Sequence, residues 1–164
     1  MLLTITACEF SLNTPTEYFD RVALNTNSIA RFGGQYFNTY QRYIKGGAST
    51  ADFNTCERYL KNISIATVER NVQKIKEMKS TPKTKPMIDA ALDLYAFVLM
   101  SYQTDHFKIA KMIDNKAPED EIEAEIIELD NKSYAIFAQK YDKLWTIAES
   151  YAKDNGIEVK KMPF

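Results

Sequence analysis

The chain has 164 residues, 45% apolar and 26% charged, with 5 Gly and 5 Pro, a composition that specifies one globular core and excludes disorder, collagen and low-complexity sequence. Its 21 basic and 22 acidic side chains leave a net charge of −1, which excludes a general electrostatic pull toward nucleic acid or anionic lipid; 2 cysteines cannot build a disulfide scaffold. No run approaches the roughly 20 apolar residues needed to span a bilayer.

Met1 to Cys8 reads MLLTITAC, an apolar run that ends in a small residue and a thiol. Ile5-Thr6-Ala7-Cys8 resembles the lipobox of bacterial lipoproteins, in which an aliphatic residue and two small ones precede the cysteine that becomes the lipidated N-terminus. The resemblance implies that Cys8 is the first residue of the mature protein. It also implies that Glu9 to Asn13 are a spacer and that the domain is held at a bacterial membrane, on its periplasmic or surface side. A single acyl chain binds a membrane only marginally, so stable attachment needs the full lipoprotein modification. Neither Lys nor Arg precedes Cys8, and the alternative is a cytoplasmic chain whose Leu2, Leu3 and Ile5 form an N-terminal arm and whose Cys8 is an ordinary thiol.

From Thr14 to Asn155 the sequence predicts four long helical segments. Thr14, Pro15 and Glu17 form a helix start with a capping box. Phe19, Val22, Thr26, Ile29, Gly33, Tyr36, Tyr40 and Tyr43 then recur at three and four residues until Lys45-Gly46-Gly47. The second segment opens at Ser49-Thr50 and carries Phe53, Cys56, Leu60, Ile63, Val68, Val72, Ile75 and Met78 on a slowly drifting stripe before Pro82. The third runs from about Pro86 to Asn115, with Ile88, Leu92, Tyr95, Val98, Tyr102, Ile109 and Ile113. After Pro118 the fourth carries Ile122, Ile126, Leu129, Tyr134, Phe137, Tyr141, Leu144, Trp145, Ala148 and Ala152 and stops at Asn155-Gly156. Strand and hairpin signals are nearly absent, so the expectation is an all-α domain over 14–156, an up-down-up-down four-helix bundle of long helices joined by short connections. The segment 1–13 precedes it as tether, and 157–164 is an extended or loosely docked tail.

Chemistry-bearing patterns are few. A bundle di-iron site needs two Glu-x-x-His motifs, whereas the chain has one histidine, His106, with Gln103 at the glutamate position. No metal or cofactor is expected. Cys56 sits on the apolar stripe, where a thiol is an inert filler, and no nucleophile elbow or phosphate loop occurs. The acidic run from Glu119 to Asp130 reads as a solvated helix start, and the basic run from Arg70 to Lys85 as a solvated helix end. Gly33-Gly34 is costly inside a helix, about 1 kcal/mol for each glycine; a close helix crossing accounts for it better than a pocket does.

These observations predict a non-enzymatic cell-envelope lipoprotein whose helical domain serves as a protein-interaction or structural module, with no catalytic residue and an unspecified protein partner. The first alternative is a small-ligand binder with a pocket between helices, for which Gly33, Tyr36, Tyr40, Tyr102 and His106 are the candidate contacts. A large aromatic-lined cavity favours it. The second is an antitoxin- or immunity-type protein that meets its partner through the acidic start of the fourth segment.

Overall fold

Thr14 starts the first helix of the computed structural model, which describes residues 13–47 and 53–159. Cys8, and with it the whole lipobox-like segment, lies outside the described residues, as do Ser49 and Thr50. All regular structure among the described residues is helical. Helix α1, Pro15–Val22, has both halves of the capping box: the Thr14 hydroxyl accepts from the Glu17 amide at 3.2 Å, and the Glu17 carboxylate accepts from the Thr14 amide at 2.8 Å. The backbone hydrogen bond lowers the Glu17 carboxyl below its ordinary pKa.

The first long segment is not one helix. After α1 the backbone tightens into a 3₁₀ turn, Leu24–Ile29, and only Gly34 opens α2, Gly34–Lys45. The cause is local. In Asn25-Thr26-Asn27-Ser28 short polar side chains compete for the backbone: the Thr26 hydroxyl donates to the Ala23 carbonyl at 2.6 Å and the Ser28 hydroxyl to the Asn25 carbonyl at 2.7 Å. Gly33 therefore stands outside a helix, as the residue that caps α2, and not within one. Its φ of +64° favours glycine. The expected close approach is real but comes from a side chain: the Asp130 carboxylate, 96 residues further along the chain, accepts from the Gly34 amide at 3.0 Å.

Among the described residues of the second segment, 53–55 are not helical, and the helix begins at Cys56. Helix α3, Cys56–Tyr59, continues through a π turn, Leu60–Ile65, into α4, Ala66–Lys76. Thr55 accepts from the Arg58 amide, and Asp114 reaches across to accept from the Cys56 and Glu57 amides at 2.8 and 2.9 Å. One carboxylate thus satisfies two donors that a helix N-terminus leaves unpaired. Asp114→Ala is expected to destabilise the protein by about 1–2 kcal/mol, with Asp114→Asn in between; unchanged urea midpoints for both would remove this role.

The third segment divides at Thr104 into α5, Lys85–Gln103, and α6, Asp105–Asp114. The Thr104 hydroxyl turns back to the Met100 carbonyl at 2.9 Å, and the residue leaves helical geometry at φ −117°, ψ −88°. Only the fourth segment is uninterrupted. Helix α7, Glu119–Asp154, ends where Asn155-Gly156 predicts, with the Ile157 amide bonded to the Ala152 carbonyl and Gly156 at φ +67°.

Helix α5 packs along α7, α6 touches α3, α5 and α7, and α1 meets α4, α5 and α7. A single core results, centred on Phe32, Phe37, Leu60, Met87, Leu94, Tyr95, Tyr102, Ile109 and Leu144. The predicted stripes supply nearly all of it. Tyr134 is an exception: it is 44% exposed, while its neighbour Ser133 is buried. Two buried nitrogens, His106 Nε2 and Trp145 Nε1, have no hydrogen-bond partner among the described residues, whereas other polar groups of the core are paired. Asn71 donates to the Tyr95 hydroxyl at 3.3 Å, and the Tyr18 hydroxyl donates to the Lys79 carbonyl, tying α1 to the chain beyond α4.

Candidate functional site

The breaks in the first two segments open a cleft of about 1300 Å³. An uninterrupted helix would have carried residues 24–33 along the bundle; the 3₁₀ turn instead leaves Asn27, Ser28, Ala30 and Arg31 along one rim. The π turn, whose backbone bonds run one residue further than in an α-helix, places Ile63 and Ser64 on the opposite wall, with Thr67 beyond. Tyr36, Tyr59 and Tyr102 line one part of the cleft, and Phe19, Tyr141 and Trp145 another, where Ile157 and Val159 of the C-terminal segment approach.

The wall is amphipathic. The Tyr36 hydroxyl and Ser64 Oγ are 3.1 Å apart, and the Tyr141 hydroxyl donates to Asn27 at 3.2 Å. Burial raises the phenols of Tyr36, Tyr59, Tyr102 and Tyr141 above their ordinary value, so all four stay neutral and can donate. Cys56, fully buried, is pushed up by desolvation and then by Asp114, which removes it as a thiolate nucleophile at neutral pH. Among the described residues no group of three or more His, Cys, Asp or Glu could hold a metal ion, and no helix is long and apolar enough to cross a membrane.

Of the residues singled out in the sequence, Tyr36 and Tyr102 line the cleft. His106 stands directly behind them, its ring 5.4 Å from Tyr36 and 4.9 Å from Tyr102, with Phe32 and Phe37 completing an aromatic cage at 5.0 and 5.5 Å. It is fully buried, its Nδ1 lies 3.0 Å from the Ser101 hydroxyl, and burial drives its pKa down to about 4. Tyr40 is one ring further out, 5.4 Å from Tyr59, its phenol raised by burial to about 12. Gly33 does not line the cleft; it faces Asp130. The chain matches no known protein family, characterised protein or solved structure.

Several wall residues have no sequence signal. Tyr59 and Ser64 fall beside the apolar stripe of their segment and reach the cleft only because the π turn rotates it. Trp145 reads as an ordinary core position, yet it is partly exposed on the wall. Asp130 belongs to an acidic run that is otherwise largely solvated, with Glu125 paired to Lys108 at 2.6 Å.

Proposed function

We propose that the chain is a non-enzymatic ligand-binding domain. In this reading its four segments pack up-down-up-down, and the cleft between the 3₁₀ turn, the π turn and α7 takes a small, largely apolar molecule. The carrying observation is the cleft itself: about 1300 Å³, walled by six aromatic rings and edged by hydroxyl and amide groups. Ligand sites have this composition, apolar walls with a few placed polar groups, and typical volumes of roughly 300–1,000 Å³. The domain is further proposed to sit at a bacterial cell envelope, anchored through lipidated Cys8; the support is the lipobox-like Ile5-Thr6-Ala7-Cys8, and mass spectrometry of the native N-terminus tests it.

Trp145, the single tryptophan, is a built-in reporter. Titration with the neutral probe N-phenyl-1-naphthylamine is expected to quench Trp145 emission saturably. Ala30→Phe, which adds a ring at the rim, is expected to weaken that binding about tenfold with little change in melting temperature. Unsaturable quenching, or equal affinity in the variant, would remove the cleft as a ligand site.

A protein-interaction role is the second reading. Ile127 and Tyr134, seven residues apart on one face of α7, are 53% and 44% exposed, and Met100 on α5 is 57% exposed. Exposed apolar residues in a stripe fit a partner helix better than a small molecule.

A further inference from the structure

Charge and ring arrangement narrow the class of molecule the cleft accepts. Among the described residues three carboxylates, Asp20, Glu149 and Glu158, line it against one cation, Arg31. Arg31 lowers the Tyr59 phenol, partly offsetting burial, so its positive charge lies at the Tyr59 end. The carboxylates are close in sequence to residues of the other end. Asp20 follows Phe19 on α1, Glu149 is one helical turn beyond Trp145 on α7, and Glu158 lies in the segment after α7.

The rings at this end are set at angles to one another. Phe19 meets Trp145 edge-on, centroids 6.2 Å apart and planes at 84°, and Tyr141 tilts against Trp145 at 6.2 Å and 35°. Aromatic faces carry negative potential, and rings at differing angles around a cavity attract a cation from several sides. Neither Asp20 nor Glu158 has an ion-pair partner among the described residues, although Arg21 and Lys61 nearby in sequence to other acids are engaged with Glu17 and Glu57. Two carboxylates without an ion-pair partner, Asp20 and Glu158, on the side of the three rings, with the one lining cation among the described residues at the far end, are an arrangement for a positively charged guest.

We infer that this end of the cleft binds a free organic cation, a quaternary or protonated amine on an apolar body, with the head against Phe19, Tyr141 and Trp145 and its charge balanced by Asp20 and Glu158. The apolar body extends along the cleft toward Ile63. The inference rests on the cleft being a ligand site. It adds the sign of the ligand's charge and the end at which that charge sits.

The test compares hexyltrimethylammonium with uncharged 1-octanol, read by Trp145 emission on the full chain. The cation is expected to bind about five- to tenfold tighter, from cation–π attraction at a partly desolvated site. Asp20→Asn combined with Glu158→Gln changes two exposed side chains and is expected to weaken the cation about threefold while leaving octanol unchanged. Equal affinities for the two probes, or a double variant that binds the cation as well as the native chain does, would overturn the charge preference and leave the cleft as a neutral ligand site. A double variant that loses both probes alike would also overturn it, since no charge-specific effect then exists. If neither probe nor N-phenyl-1-naphthylamine perturbs Trp145, both the preference and the cleft reading fail.

Discussion

Replacing Gly33 by Ala is expected to destabilise the protein by roughly 2–4 kcal/mol, the sum of about 1–3 for a side chain held in an unfavourable region of backbone space and about 1 for a lost helix cap. Gly33 adopts φ +64°, ψ −134°, and a Cβ there would lie 1.9 Å from Asp130 Oδ1. That oxygen is the one that accepts from the Gly34 amide, so the carboxylate cannot step aside without abandoning the start of α2. A double-mutant cycle separates the two contributions. Asp130→Ala alone is expected to cost about 1 kcal/mol. In that background Gly33→Ala retains only its backbone part, roughly 1–3 kcal/mol. Identical costs for Gly33→Ala in the two backgrounds would show that Asp130 does not enforce the glycine. A cost under about 0.5 kcal/mol in the native background, the range of an ordinary surface substitution, would refute the strain as well.

Acid is expected to weaken the fold through His106. Its folded pKa of about 4 lies below the ordinary 6.5, because burial among Phe32, Tyr36, Phe37 and Tyr102 penalises the imidazolium more than Asp105 and the Ser101 carbonyl favour it. A depressed histidine pKa means that the unfolded chain binds a proton the folded chain refuses. The stability is therefore complete above pH 6.5 and falls as the pH drops from 6.5 toward 4. Between pH 7.5 and 5 the loss is about 2 kcal/mol, and the full difference is about 3 kcal/mol. Urea denaturation of the native chain against His106→Gln isolates this part from the carboxylates, since only the native chain should carry the extra slope. His106 is also the sole histidine, so a single imidazole Cε1–H resonance reports it directly. A titration centred near 6.5, or parallel slopes in the two proteins, would contradict the buried neutral ring.

The two results bear on the cleft. Tyr36 and Tyr102 are cleft wall on one side and cage around His106 on the other. The Gly33 turn delivers α2, and hence Tyr36, to that position. Strain at Gly33 and charge on His106 thus act on the wall that the proposed ligand would touch, and weaker probe binding at pH 4.5 than at 7.5 follows from the same arrangement.

Much of the fold was legible along the chain because helical burial has a strong period. Phe19, Val22, Ile29, Tyr36 and Phe37 in the first segment are buried, as are Cys56, Leu60, Val68 and Ile75 in the second. These positions recur every three to four residues whether or not the helix is continuous, since a 3₁₀ or π turn shifts the register by less than one residue per turn. The helix ends with side-chain chemistry of their own, Thr14 with Glu17 and Asn155 with Gly156, were legible for the same reason: partner and cap are neighbours in sequence.

What only the tertiary structure decided is where the helices break and what the breaks enclose. Asp130 reaches Gly34 from 96 positions away, and Asp114 reaches Cys56 from 58. No local pattern announces such a partner. The π turn has no proline or glycine to mark it, yet it brings Ser64 to Tyr36 and opens the wall beside Tyr59. Sequence alone determined an all-helical chain with one apolar core, because burying apolar side chains depends on their spacing. The cleft depended on long-range polar contacts and on deviations of the backbone, which are settled only when the elements meet.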